Sequence, residues 1–255
     1  MASGRRFWQA MRAASLHLIA EMARDEEMLK PDTRALWLGA GLCVCAVLAI
    51  ISAPWALARP ALNFVFKPLA TLCVIAYAAG RGVPDGAGAT SRRWVLAGLW
   101  LSLAGDVALL WPTEGFLPGL VSFLLAHLAY LVAFTRHQRF CAWWPAFVAY
   151  ALAAGLILWR LWPGVPGALQ APVIAYVLCL ASMAAQAAVL WRRGEPRGGV
   201  LAMGGALFVM SDALLATDKF AGPLPLASLW ILTAYWAAQW CIASWLMPRP
   251  TAGRA

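Results

Sequence analysis

Charged residues are scarce in this chain, and their scarcity excludes an ordinary soluble domain. Aspartate, glutamate, lysine and arginine make up 12% of the 255 residues, whereas 63% are hydrophobic. A typical soluble domain carries roughly 25% charged residues. The segments between the apolar stretches are short and marked by proline, glycine or charge, so none of them holds a separate soluble domain. The composition instead predicts a polytopic membrane protein.

Clustered metal ligands are also lacking. Six cysteines are scattered without a CxxC pair, and of three histidines only His127 lies in an apolar stretch. Zinc sites usually need several cysteines or histidines at short spacing, so we expect neither a metal nor a cofactor. A minimal site of Asp106, Asp212 and His127 is the metal alternative. The sequence contains no Ser/His/Asp nucleophile motif and no glycine-rich phosphate loop.

Eight apolar stretches are present, and each is long enough to cross a bilayer as a helix. They cover about 35–52, 61–79, 94–111, 115–134, 142–160, 169–191, 199–216 and 225–247. A backbone in lipid must satisfy its own hydrogen bonds, which favours helices. We therefore predict an all-α polytopic membrane protein with one eight-helix transmembrane domain over 35–247. Residues 1–34 are predicted to form a cytoplasmic arm, either amphipathic or disordered, and 248–255 a cytoplasmic tail.

The net charge of +9 is distributed unevenly among the segments that flank the stretches. Of 20 lysines and arginines, 16 lie in the two terminal segments and in 80–93, 135–141 and 192–198. Cytoplasmic loops of membrane proteins are rich in these residues, so both termini are predicted to be cytoplasmic. The charge then reflects topology and contact with anionic membrane lipids rather than nucleic-acid binding. The expected location is the bacterial inner membrane.

A weak internal repeat relates the two halves of the chain. The third stretch contains GDVALL and the seventh contains SDALLA, and each is followed by a phenylalanine, Phe116 or Phe220. Parallel repeats related by an axis along the membrane normal occur in membrane proteins. One hypothesis is therefore two parallel four-helix halves, with Asp106 and Asp212 at equal depth near the outer ends of their helices. The alternative is chance similarity between alanine-rich helices.

Polar side chains inside the stretches mark the expected functional site, because charged groups in lipid are costly and are usually paired or functional. They are Asn63, Lys67, Asp106, His127, Tyr130, Asp212, Tyr235 and Gln239. Numbering the stretches as helices 1 to 8, we predict a polar cavity lined by helices 2, 3, 4, 7 and 8, with helices 1, 5 and 6 as apolar walls. The structural alternatives are a packing ion pair between Lys67 and either aspartate, and hydrogen bonds that hold helices together.

Five sequence pieces resemble the YhhN-like family of membrane lysoplasmalogenases. They are KPLATLCVIAYAAG, LAGLWLSLAGDVALLW, GFLPGLVSFLLAHLAYLVAF, GALFVMSDALLA and YWAAQ, within about 61–245. The resemblance implies a multi-pass hydrolase that cleaves the vinyl-ether bond of lysoplasmalogens. The implied products are a fatty aldehyde and a glycerophospho head group. The motif positions that carry over are Lys67, Asp106, His127, Tyr130, Asp212, Tyr235 and Gln239.

The chemistry of vinyl-ether hydrolysis assigns hypothetical roles to these residues. A proton on the β-carbon gives an oxocarbenium ion, to which water adds, so an acid, an anion and an activated water are needed. Two carboxylates in unlike environments meet such needs in glycosidases. We assign Asp212 as acid, Asp106 as stabiliser or base, and His127 to activation of water or binding of the head group. The order of the two aspartates stays open at this point.

The remaining residues are assigned to binding of the lysophospholipid substrate. Tyr130, Tyr235 and Gln239 would orient the glycerol or the ether oxygen, and Asn63 is also assigned to substrate binding. Lys67 either keeps its neighbouring aspartate ionised or binds the lipid phosphate. Two rival functions are a proton-coupled transporter of small molecules or lipids and a non-catalytic lipid-binding scaffold. The oligomeric state is not indicated by the sequence.

Overall fold

Eight α-helices account for the apolar stretches. The computed structural model describes residues 33–53, 55–82, 87–111 and 113–247. In these ranges the helices are α1 (Thr33–Ile51), α2 (Pro60–Ala79), α3 (Ala87–Ala108), α4 (Phe116–Thr135), α5 (Trp144–Leu161), α6 (Gly167–Arg192), α7 (Gly198–Phe220) and α8 (Ala227–Trp245). A short 3₁₀ turn, Trp162–Gly164, follows α5. The predicted helices are thereby confirmed, with shifts of several residues at some ends.

The terminal segments contribute little to the described structure. The chain divides into two units, 1–37 and 38–255. Of the first unit only 33–37, the start of α1, is described. The predicted arm therefore lies outside the described residues except for Thr33 and Arg34, which are helical. The predicted tail, 248–255, also lies outside them.

Six of the eight helices are long and apolar enough to cross a membrane. The two that fall short are α3 and α8. Helix α3 carries Arg92, Arg93 and Asp106, and α8 is rich in tryptophan and carries Tyr235 and Gln239. Their lower hydropathy has a structural reason, since both helices supply polar side chains to the interior of the bundle. The protein is an all-α integral membrane protein.

Six helices form a closed ring in the second unit. Neighbours around the ring are α2, α3, α4, α6, α7 and α8, with α8 packing back against α2. Helix α5 lies outside the ring against α6. The fully buried side chains include Leu99, Tyr130, Phe134 and Phe208, which belong to α3, α4 and α7. By contrast α5 buries only Ala146 and Leu161, and its exposed apolar side chains suit contact with lipid.

Matched contacts support the predicted repeat. The ring order pairs α2, α3 and α4 with α6, α7 and α8, so each contact within one half has a counterpart in the other. Thr71 donates a hydrogen bond to Asp106 across 35 residues, and Tyr176 donates one to Asp212 across 36. The equivalent rings of Phe116 and Phe220 touch, with centroids 5.9 Å apart. Two related halves remain a hypothesis, which these contacts favour.

Close packing of α3 on α4 depends on a glycine, and this gives a first prediction. A Cβ atom at Gly98 would lie 2.3 Å from the ring of Tyr130. Because that ring is fully buried, Gly98→Ala must displace it, and we expect a loss of roughly 1–3 kcal/mol of stability. The measurement is the midpoint of thermal unfolding in detergent. Gly155→Ala is the matched control, since nothing lies near that position, and equal midpoints for both variants would contradict the packing.

Candidate active site

A cavity of about 890 Å³ occupies one half of the bundle, next to the loops that follow α1, α3, α5 and α7. Its walls are mostly apolar and come from several helices, including Leu120 of α4, Ile157 of α5 and Leu180 of α6. The prediction that α5 and α6 act as walls is confirmed in this respect. Polar side chains of the cavity wall include Asn63, Lys67, Asp106, Tyr176, Ser211, Asp212 and Tyr235.

Asp106 is a buried residue of the cavity wall and is held by three side chains. Its Oδ1 atom is 3.6 Å from Lys67 Nζ. Its Oδ2 atom accepts hydrogen bonds from Thr71 Oγ1 at 2.6 Å and from the Tyr235 hydroxyl at 2.7 Å. The carboxyl group is 1% exposed. The structure therefore pairs Lys67 with Asp106, a choice that the sequence left open.

The direction of these hydrogen bonds defines Asp106 as an acceptor. The indole nitrogen of Trp236 donates to Thr71 Oγ1 at 3.2 Å. Since an indole N–H is only a donor, the Thr71 hydroxyl proton is directed to Asp106. A carboxyl group that accepts two hydrogen bonds on one oxygen and faces an ammonium with the other is arranged as an ionised carboxylate.

Behind Tyr235 lies a chain of buried polar groups. The Tyr130 hydroxyl donates to Gln239 Oε1 at 2.7 Å, and Gln239 Nε2 donates to the Tyr235 hydroxyl at 3.2 Å. Tyr130 and Gln239 are fully buried and are not among the residues that line the cavity, whereas Tyr235 is. The three predicted residues are thus brought together, with Tyr235 between the other two and Asp106.

Asp212 has a different environment from Asp106. It lines the cavity on α7 and accepts a hydrogen bond of 2.5 Å from the Tyr176 hydroxyl of α6. Within the described part of the chain, it makes no ion pair and no other hydrogen bond. Helix α6 was predicted to be an apolar wall, and this was incomplete, because it also supplies Tyr176. The two aspartates therefore share one cavity but not one kind of surroundings.

His127 lies among aromatic rings instead of on the cavity wall. Its ring centroid is 4.5 Å from that of Phe208 and 5.3 Å from that of Tyr176. The side chain is fully buried, and neither ring nitrogen has a hydrogen-bond partner. The His-x-x-Tyr spacing correctly places His127 and Tyr130 on one face of α4, but that face is covered by α6, α7 and α8 side chains.

Asn63 and Lys67 lie four residues apart on α2, which puts them on one helix face, and both reach the cavity. Both residues line it, and Lys67 is 7% exposed. Asn63 Oδ1 is buried without a hydrogen-bond partner. An unpaired buried carbonyl favours a ligand that brings a hydroxyl or amine donor to this part of the cavity.

No metal cluster is formed by the described residues: nowhere do three histidine, cysteine, aspartate or glutamate side chains lie close enough to hold an ion. Asp106, Asp212 and His127 therefore do not make the minimal metal site that the sequence left as an alternative.

A serine, a histidine and a glutamate do meet at the opposite end of the bundle. His137 Nε2 lies 2.9 Å from Ser91 Oγ, and His137 Nδ1 lies 2.7 Å from Glu195 Oε1. Ser91 is 1% exposed, so its hydroxyl is shielded from a substrate. The contact joins the start of α3 to the connections between α4 and α5 and between α6 and α7, which is a structural role.

Three contributors to the site had weak sequence signals. Thr71 lies one turn beyond Lys67, so the sequence places it on the same helix face. The sequence does not show that its hydroxyl contacts Asp106. Trp236 and Tyr176 resemble core aromatic residues in apolar helices, so only the fold reveals that their polar atoms face Thr71 and Asp212.

Fold and site together define a polytopic α-helical membrane protein with two acidic groups on a large apolar cavity. The chain belongs to the YhhN family, whose sequence profile matches residues 62–246. This confirms the predicted family.

Several similar proteins are named lysoplasmalogenases. Lysoplasmalogenase TMEM86B of Sus scrofa is 36% identical over 215 residues, covering 80% of this chain and 83% of the relative. Lysoplasmalogenase TMEM86A of Homo sapiens is 34% identical over 158 residues, or 60% and 65% of the two chains. A lysoplasmalogenase of Mycobacterium tuberculosis (strain CDC 1551 / Oshkosh) is 30% identical over 178 residues, or 65% and 61%. No solved structure matches the chain.

Proposed function

We propose that this protein is an enzyme that hydrolyses the vinyl-ether bond of lysoplasmalogens, releasing a fatty aldehyde and a glycerophospho head group. The names of its relatives support this activity. The observation that carries it is the pair of unlike carboxyl groups on one cavity. Asp106 lies beside Lys67, whereas the partner of Asp212 among the described residues is the Tyr176 hydroxyl. The cavity volume of about 890 Å³ is large enough for a lipid with one chain.

The first step is proton transfer from Asp212 to the β-carbon of the vinyl ether. Asp212 lies on an apolar cavity wall and makes no ion pair with the described residues, which favours the neutral form of its carboxyl group, so it is suited to act as the acid. Because Tyr176 donates to Oδ2, the transferable proton resides on Oδ1. Protonation converts the carbon–carbon double bond into an oxocarbenium ion and leaves Asp212 ionised.

The second step is addition of water to the oxocarbenium ion. Asp106, kept ionised by Lys67, Thr71 and Tyr235, stabilises the cation and accepts a proton from the attacking water. The resulting hemiacetal collapses to aldehyde and glycerol hydroxyl, and one water is consumed. The proton taken up by Asp106 returns to Asp212 through solvent, which restores the starting state.

The other predicted site residues support these two steps. Tyr130 and Gln239 position Tyr235, whose hydroxyl orients Asp106. Asn63 accepts a hydrogen bond from the glycerol hydroxyl through its unpaired Oδ1. His127 acts through the rings of Tyr176 and Phe208, which it packs against, and thereby fixes the position of the Tyr176 hydroxyl.

Membrane orientation follows from the charged segments. Arg92, Arg136, Arg139, Arg193 and Arg197 belong to the end of the bundle away from the cavity. Placing this end in the cytoplasm, according to the positive-inside rule, turns the cavity to the opposite side of the membrane. In a bacterial cell this location is the inner membrane, with the substrate entering from its outer leaflet.

A transporter and a lipid-binding scaffold are the rival functions, and no observation favours either. Purified protein in detergent, incubated with lysoplasmenylethanolamine, should release fatty aldehyde in a time-dependent and protein-dependent manner. A carrier would move the lipid across liposomes and leave it intact, and a scaffold would bind it without turnover. Absence of aldehyde for the ethanolamine and choline lipids alike would contradict the proposal.

Tyr176 provides a second prediction, because it holds the acid without itself reacting. Tyr176→Phe removes the hydroxyl that donates to Asp212 Oδ2. Loss of a hydrogen bond to an ionisable group should lower kcat roughly tenfold to hundredfold and leave KM nearly unchanged. The measurement is steady-state aldehyde release. Tyr150→Phe on α5, away from the cavity wall, is the control. Equal changes in kcat for both variants would contradict the role assigned to Tyr176.

A further inference from the structure

The mouth of the cavity carries two charged residues that the proposed reaction does not use. Asp218 and Lys219, in the last turn of α7, both line the cavity. Lys219 is exposed, and its Nζ lies 4.9 Å from the centroid of the Phe116 ring. Asp218 Oδ1 accepts a hydrogen bond of 2.7 Å from the Leu224 backbone N–H, which fixes the carboxylate. An acidic and a basic residue are thus consecutive in the chain, and both line the cavity at the end of α7.

The register of α7 links the mouth of the cavity to the reacting end. Lys219 follows Asp212 by seven residues, so both lie on the same face of the helix. Seven residues correspond to about 10 Å along the helix axis. Since a lysine side chain spans part of that distance, one glycerol unit can bridge an ether at Asp212 and an anion at Lys219.

The other lysine of the cavity wall, Lys67, lies beside the buried carboxylate of Asp106. Lys67 Nζ faces that carboxylate and compensates its charge. Drawing a phosphate to Lys67 would place a second anion beside Asp106 at low dielectric, which is unfavourable. Lys219 lies in the last turn of α7 and is exposed, so solvent screens its neighbouring charges more strongly.

We propose that Asp218 and Lys219 form a subsite for a zwitterionic phospholipid head group. Lys219 binds the phosphate, and Asp218 binds the ammonium group of ethanolamine or choline. The alkenyl chain then lies along the apolar walls from α4, α5 and α6. This inference rests on the proposed hydrolase activity. Among vinyl-ether lipids, it predicts a preference for those whose head group carries both a phosphate and an ammonium group.

Lys219→Gln tests the phosphate contact with two lipids, lysoplasmenylethanolamine and 1-alkenylglycerol, which lacks the phosphate. Both are presented in mixed micelles at a fixed mole fraction. Loss of one charged contact at an exposed site should raise KM for the phospholipid roughly twofold to fivefold, with kcat within twofold of wild type. KM for 1-alkenylglycerol should not change. Arg160→Gln, a basic residue at the same end but outside the cavity wall, is the control.

Asp218→Asn tests the ammonium contact with lysoplasmenylethanolamine and 1-alkenylglycerophosphate, which has no amine. Asparagine retains an oxygen that can accept the Leu224 N–H, so the turn is preserved. Wild type should prefer the amine-bearing lipid in kcat/KM, and the variant should lose most of that preference. Retention of the full preference would overturn the role of Asp218.

The outcomes separate the subsite from the hydrolase itself. The subsite would be overturned, with the activity intact, if wild type releases aldehyde and Lys219→Gln changes the KM for the phospholipid no more than the KM for 1-alkenylglycerol. Absence of aldehyde from every lipid with wild type would overturn the proposed function first. A selective rise in KM for the phospholipid supports the subsite.

Discussion

Replacement of Asp212 by asparagine is expected to lower kcat for vinyl-ether hydrolysis by roughly 10³-fold, the range typical of a lost general acid. Asparagine has the size of aspartate and retains an oxygen that can accept the hydrogen bond from Tyr176. The variant should therefore fold, and only the proton donor is lost. KM should stay within a few-fold of wild type, because the cavity walls are unchanged.

The measurement for Asp212→Asn is initial-rate aldehyde release, with the thermal midpoint in detergent as a check on folding. Glu114→Gln makes the same carboxyl-to-amide change at an exposed position outside the cavity wall and should behave as wild type. A kcat for Asp212→Asn within tenfold of wild type would remove Asp212 from the chemistry.

Replacement of Asp106 by asparagine is expected to impair stability and activity together. The change leaves Lys67 buried without its counter-charge. Breaking a buried ion pair on one side typically costs roughly 3–5 kcal/mol. A large fall in the thermal midpoint should follow. Aldehyde release should also be lost, because the group that accepts the proton of the attacking water is absent.

A double variant separates the two effects of Asp106. In Asp106→Asn with Lys67→Met, neither charge remains, so most of the lost stability should return. Activity should not return, since the carboxylate is still absent. A double variant as unstable as Asp106→Asn alone would contradict the ion pair. Recovery of activity together with stability would mean that Asp106 serves the fold and not the reaction.

The helices were predictable because long apolar stretches form helices in lipid, although length and hydropathy alone single out only six of the eight described helices. The pairing of Lys67 with Asp106 was not predictable, because two acids were available and the choice depends on how α2 rotates against α3. The four-residue spacing of Asn63, Lys67 and Thr71 puts them on one face of α2. In the structure Asn63 and Lys67 line the cavity, and Thr71 contacts Asp106.

The surroundings of His127 and Tyr176 also depend on how the helices rotate against each other, which the sequence does not show. His127 is ionisable and lies in an apolar helix, which marks it as a candidate without showing what its face meets. In the structure that face meets Phe208 and Tyr176. Tyr176 lies in a helix that is predicted to be mainly an apolar wall, and a single tyrosine there is ordinary until its hydroxyl is found on Asp212.

The most direct test of the account is hydrolysis of lysoplasmenylethanolamine in heavy water, with mass analysis of the aldehyde. Proton transfer to the vinyl β-carbon predicts one deuterium at carbon 2 of the aldehyde from wild type, and no product from Asp212→Asn above background. Aldehyde without deuterium at carbon 2 would contradict carbon protonation. Absence of aldehyde from wild type would contradict the hydrolase.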